Sequence, residues 1–243
     1  EAGSHGISSY HPFNSSSGSA INAQQGTLSI PTFTANNGVL SVAGGAYFDS
    51  VNASFTNTST GVLSGSGTIN VGTGTLTNQG VIKPGGSAAI GTLGVTGNLL
   101  LGAGSILEIE ATSAASHDIL AVSGGTTTTL GGALHTTINF APVDADYLSF
   151  LTSTVESNDT FDSVMAPGGF SVVYNSGETR LVYSASGSNV FTNASGGYTW
   201  ETPGNWSLSH IPTNVESALI SSGTMTVTHG SGTDTIAGLT INS

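Results

Sequence analysis

The chain has 243 residues and a formal net charge of −12, yet only 7% of its residues are charged, against about 25% in an average soluble domain. Lys83 and Arg180 are the only basic residues besides six His, which excludes the clustered cations that neutralise phosphates or grip an anionic membrane surface. No nucleic-acid partner and no membrane insertion are expected, since no apolar run approaches the ~20 residues of a spanning helix, and the absence of cysteine excludes disulfides and thiolate metal sites.

Apolar residues make up 37% of the chain and alternate with Ser, Thr, Asn and Gly. That alternation argues for ordered strands rather than disorder. Thr serves well here, because its branched Cβ fits a pleated surface. The first residue is Glu1, not Met, and no signal peptide is visible, which reads as a mature or cleaved product.

Residues 1–25, with Tyr10, Pro12 and Phe13 among Ser, Gly, Asn and Gln, are expected to form an N-terminal loop or cap. Residues 26–110 read as β-solenoid rungs. Short runs recur, stopped by Gly: Thr27 to Ile30, Val39 to Val42, Val62-Leu63, Thr68 to Val71, Leu76-Thr77, Val81-Ile82, Thr92 to Val95, Leu99 to Leu101 and Ile106 to Glu110. Successive runs lie roughly 12–25 residues apart, without the fixed period that marks many solenoids.

Residues 111–186 carry denser aromatics and read as a β-rich closing cap. Strands are expected at Ile119 to Val122, Ala133 to Phe140, Tyr147 to Leu151, Phe170 to Tyr174 and Arg180 to Tyr183. Hairpin-like turns stand at Ala166-Pro167-Gly168-Gly169 and Asn175-Ser176-Gly177. Residues 187–243 open a second, incomplete β-module. It holds both Trp residues, then strand-like runs at Ala218 to Ile220, Thr224 to Thr228 and Ile236 to Ile241. No segment holds a 3.6-residue apolar period, so almost no helix is expected.

The ordered series from Gly65 to Leu134 includes Gly65-Ser66-Gly67-Thr68-Ile69, Asn78-Gln79-Gly80-Val81-Ile82-Lys83-Pro84-Gly85 and Gly104-Ser105-Ile106-Leu107-Glu108-Ile109-Glu110. It resembles bacterial autotransporter passengers and related secreted β-helix adhesins. That resemblance covers about residues 60–185 and implies a right-handed parallel β-solenoid, or β-helix, at a bacterial cell surface or in the extracellular space. Trp200, Asn205-Trp206-Ser207, Pro212 and Glu216 are similar to modules that open a new solenoid segment in large surface proteins.

Candidate chemistry is sparse. Glu108 and Glu110 share one side of a strand, a solvated face before it is an acid/base pair. Lys83 and Arg180 are far apart in sequence, with no cluster around either. Asp144 and Asp146 are the candidate calcium ligands, weighed against ordinary turn aspartates. No other cofactor is expected. Tyr198, Trp200 and Trp206 suit docking of the module on its neighbour or a sugar-stacking platform. With Ile236, Leu239 and Ile241 they form the candidate interaction surface.

The expected function is structural or adhesive and extracellular, not enzymatic. Edges with almost no charge protection invite head-to-tail self-association by strand pairing. The alternative is a polysaccharide-binding or polysaccharide-degrading β-helix protein, with a host or matrix glycan as partner.

Overall fold

A computed structural model describes residues 3–6, 11–143, 145–155, 159–184, 187–214, 216–221 and 225–242. The chain is all-β and winds as a parallel β-solenoid of about ten turns. The segment expected as an N-terminal loop or cap supplies the first coil: β1 (Ser4–Gly6), β2 (Phe13–Asn14) and β3 (Ala20–Ala23). Tyr10 lies outside the described residues.

The next coil holds β4 (Thr27–Ser29), β5 (Phe33–Asn36) and β6 (Val39–Val42), and the one after it β7 (Tyr47–Asp49), β8 (Phe55–Asn57) and β9 (Val62–Gly65). From there two of the faces are served by one long bent strand. These coils are β10 (Thr68–Asn78) with β11 (Val81–Pro84), then β12 (Thr92–Leu101) with β13 (Ile106–Ser113). The short β14 (Ser116–His117) folds back antiparallel on β13. Then come β15 (Ile119–Thr129) with β16 (Ala133–Ile138), and β17 (Tyr147–Ser153) with β18 (Ser163–Met165).

Parallel pairing stacks like on like. One face runs β3-β6-β9-β11-β13-β16-β18, and a second begins β1-β4-β7-β10-β12-β15-β17. A third joins β2, β5 and β8 to the C-terminal half of β10. Bent strands need a residue that can turn a corner. Gly97 does so inside β12, with φ 125°, and the β12–β15 register shifts just beyond it. A side chain there would meet Val71 and the backbone of Gly72 in the coil beneath.

The period-2 alternation sends every second residue inward. Leu40, Leu63, Ile82, Leu107 and Leu134 form one unbroken column of buried side chains. Each such burial contributes about 1.5–3 kcal/mol. The coil length grows from 20 residues between Leu28 and Phe48 to 27 between Val95 and Val122. The 12-residue steps seen in the sequence are moves between faces of one coil, which is why no fixed period stands out.

The stack ends on an antiparallel hairpin, β19 (Phe170–Asn175) and β20 (Glu178–Tyr183), turned at Ser176-Gly177. By contrast, Ala166-Pro167-Gly168-Gly169 is not a hairpin turn: β18 before it pairs with β16, and β19 after it pairs with β20. Strand β20 pairs antiparallel with β17. Val172 and Leu181 of the hairpin face the solenoid core, whereas Val173 and Val182 pack with Val190 and Leu219 beyond it. The hairpin is thus apolar on both faces, a junction between two stacks.

The second stack is a parallel sheet of β21 (Ser188–Val190), β22 (Ser217–Ser221) and β23 (Gly238–Asn242). The run expected as a strand over Thr224 to Thr228 contributes only an isolated bridge, Thr199 with Thr228, among the described residues.

One corner of the first stack is held by a polar ladder. Asn36, Asn57 and Asn78 are fully buried and lie 21 residues apart, one above another. Asn36 Nδ2 donates to Asn57 Oδ1 at 2.8 Å, and Asn57 Nδ2 to Asn78 Oδ1 at 2.7 Å. The Ser15 hydroxyl starts the row by donating to Asn36 Oδ1 at 2.8 Å. Each Asn also donates to a backbone carbonyl across its own turn, those of Gly38, Gly61 and Gly80. A Cβ on Gly61 would run into Asn57 Oδ1 and the Asn36 carbonyl, so the corner requires glycine there as well as asparagine.

Candidate functional site

The second module is built around two indoles. Trp200 and Trp206 meet edge to face at 4.7 Å, and Phe191 meets Trp206 in the same way at 5.1 Å. Trp206 Nε1 donates to the Trp200 carbonyl at 2.8 Å. Asn205, fully buried as the last residue of a short 3-10 turn, donates to the carbonyls of Gly196 and Thr199 and pins the loop that carries both rings. Both Trp side chains are therefore core, with only a small part of the Trp206 ring reaching a neighbouring cleft. Tyr198 sits half-buried at a left-handed turn position with φ 51°, its amide donating to Asn193 Oδ1.

The surface residues of the module lie on β23. Leu239 pairs in register with Ala218, and Ile241 with Ile220. Ala218 and Ile220 are buried against the indoles. Leu239 and Ile241 thus occupy core columns, but they are 53% and 61% exposed because nothing described lies beyond them. Among the described residues β23 pairs only with β22, so its other edge leaves amide and carbonyl groups unpaired. Ile236 is half-buried against the indole cluster just ahead of the strand. The candidate interaction residues therefore divide: Trp200 and Trp206 build the platform, and Leu239 and Ile241 are what it presents.

Beside the platform lies a loop held by charge. Glu201 accepts from the amides of Gly230 and Ser231 and lies 3.6 Å from His229. Backbone amides, its own first, hold its carboxyl below the usual range. His229 also meets Asp234 at 3.1 Å.

Lys83 and Arg180 each have an acidic partner. Lys83 is not isolated: it forms an ion pair with Glu108 on the outer face of β11 and β13. Arg180 pairs with Glu178 at 2.6 Å, and its guanidinium lies 4.4 Å from the Tyr147 ring. Asp146 accepts from the Val143 amide at 2.9 Å, as a turn aspartate does, while Asp144 lies outside the described residues. Among the described residues no group of three or more His, Cys, Asp or Glu is placed to hold a metal.

Asp118, one of the acidic residues that the calcium and acid/base readings draw on, is fully buried. Its two oxygens accept from the amides of Gly91 and Glu110, both at 2.9 Å, tying three stretches of chain together. Burial pushes its carboxyl up to about 6, against the pull of those amides and of Lys83. A folded-state value above the unfolded 3.8 means that the folded protein holds this proton more tightly. The resulting stabilisation is complete below about pH 4 and is lost as pH rises through about 6. Urea titrations should find the wild type losing about 2–3 kcal/mol over that window relative to Asp118→Asn. Parallel pH profiles for the two proteins would contradict the assignment. Asp118 is spent on backbone donors, so Glu108 and Glu110 have no third carboxylate free beside them.

Comparison with protein families and with curated proteins finds no match to this chain, so the likeness to β-helix repeat proteins rests on its architecture, a β-solenoid of about ten turns.

Proposed function

We propose that this chain is an extracellular structural or adhesive surface protein that extends by end-to-end association of its solenoid. The observation that carries this reading is the edge of β23, unpaired among the described residues, with two core-column side chains, Leu239 and Ile241, exposed there. An exposed parallel edge of that kind is a template for another strand. The distribution of charge supports the same reading. The chain carries 14 acidic residues against 2 basic ones, which opposes side-by-side packing of copies over a Debye length of about 8 Å. Apart from His, no charged residue lies between Glu1 and Asp49, or between Asp234 and Ser243, so β1–β6 and β23 lie in uncharged stretches.

Light scattering should find the average mass of the wild type rising with concentration. Leu239→Lys/Ile241→Lys should stay at the mass of one chain, with an unchanged circular dichroism spectrum. A wild type that keeps the mass of one chain at every concentration overturns the reading.

A second reading, polysaccharide binding, draws on a cleft of about 370 Å³ between β18 and the second module. Phe170, Tyr174, Thr192, Trp206 and Ser207 line it, and its lining holds no charged residue. Apolar surface mixed with hydroxyl groups suits a neutral glycan. A glycan array without binding would dismiss it.

A further inference from the structure

One column of core side chains stops short in the middle of the chain. Leu40, Leu63, Ile82, Leu107 and Leu134 are buried one upon another, and Val164 of β18 is next in register. Val164 is 42% exposed. The hairpin of β19 and β20 covers the neighbouring part of the core with Val172 and Leu181, but among the described residues β18 pairs only with β16. Val164 instead lines the cleft of about 370 Å³, whose other walls include Phe170, Tyr174 and Trp206. Successive residues of a strand send their N–H and C=O groups to opposite neighbours. The Ser163 amide donates back to the Gly132 carbonyl of the preceding coil, so the amide and carbonyl of Val164 face the open side of β18.

We propose that this cleft is a strand-addition site. It takes one extended, uncharged segment of a partner polypeptide, laid parallel along β18 with an apolar side chain over Val164. The Val164 amide and carbonyl call for a backbone, which offers an acceptor and a donor at the parallel strand spacing of about 4.8 Å. The column calls for the apolar side chain, which carries it from Val164 into the cleft. A glycan could meet the polar pair with hydroxyls, but it has no aliphatic side chain to set over Val164. Charge restricts the partner further. Neither β18 nor any residue lining the cleft is charged, so a Lys or Arg entering it would lose water without gaining a carboxylate. The chain's 14 acidic residues against 2 basic ones oppose an acidic segment. The neighbours of the apolar residue fall over Ser163 and Met165 on the outer row, where Ser or Thr is suited. The site lies between β18 and the second module and makes no use of β23.

Nuclear magnetic resonance of the wild-type chain, titrated with the capped pentapeptide acetyl-Ser-Thr-Leu-Thr-Ser-amide, tests the site. The amides of Val164 and Ala166 should shift. Exchange of the Val164 amide should slow about tenfold once the peptide stands at ten times its dissociation constant. In a parallel joint the threonine after the leucine donates to the Val164 carbonyl, while the leucine N–H points away. N-methylation of that threonine should therefore abolish the response, and N-methylation of the leucine should leave it. A Val164 amide already protected in the free protein would mean that the edge is covered within the chain, and it overturns the proposal. So do equal responses to the two methylated peptides, no response to the unmethylated peptide at millimolar concentration, and a response to cellohexaose alone.

Discussion

Asn57→Ala should cost about 3–5 kcal/mol, the largest loss for any single polar side chain in the first stack. Asn57 is the middle member of the ladder. Its Nδ2 donates to Asn78 Oδ1 and the Gly61 carbonyl, and its Oδ1 accepts from Asn36. Truncation leaves those buried partners unsatisfied, each at about 1–3 kcal/mol. Asn78→Ala should cost less, because Asn78 is the last member of the row: its oxygen accepts from Asn57 and its amide donates to the Gly80 carbonyl. Asn57→Asp separates hydrogen bonding from shape. It keeps the volume but presents acceptor oxygens to two acceptors, and as an anion it would be buried without a cation. It should be at least as damaging as Asn57→Ala near neutral pH. Chemical denaturation followed by fluorescence and by hydrogen exchange would check this order. Stacked coils contact mainly their neighbours, so exchange should rise first at the Gly61 and Gly80 corners. A cost below 1 kcal/mol for Asn57→Ala would mean that the ladder is incidental to stability.

Phe33→Ala should cost about 3–5 kcal/mol. Phe33 is fully buried, and its ring lies 5.0 Å from both Phe48 and Phe55, edge to face in each case. Phe13 joins at 6.1 Å. These rings fill the interior of the early coils, and such pairs add about 0.5–1.5 kcal/mol beyond simple burial. Phe33→Leu should recover more than half of the loss, because it refills most of the cavity without restoring the ring contacts. Equal stabilities for Phe33→Ala and Phe33→Leu would contradict this packing. Because the damage is local, the second stack around Trp200 and Trp206 should keep its fluorescence while the N-terminal coils open.

Much of the architecture was legible because period-2 alternation survives in nearly every strand. The inward residues of β10, β12 and β13 are those that the alternation marks. The coil itself was harder to read. Its corners recur as Asn-Asn-Gly-Val-Leu at 36–40, Asn57 with Gly61-Val62-Leu63, and Asn-Gln-Gly-Val-Ile at 78–82. The 21-residue Asn spacing was present but masked, because the Asn-to-Gly interval varies within it. Residues 1–25 were obscured by composition: strands of two to four residues rich in Ser and Ala carry little periodic signal.

The candidate site divided along similar lines. Leu239 and Ile241 could be named from alternation alone, whereas their exposure depends on what stacks beyond them. In the sequence the two Trp residues suited docking of the module or a sugar platform, whereas Asn205 and Phe191 enclose them as core. The burial of Asp118 was not legible, since it depends on the amides of Gly91 and Glu110 and exists only once the coils are stacked.

Electron microscopy of the wild-type protein over a wide range of concentration tests the central claim most directly. The account predicts unbranched single-file rods that lengthen with concentration, in steps of one molecule, and that are absent from Leu239→Lys/Ile241→Lys. Single particles at every concentration, or sheets and clusters formed side by side, would contradict it.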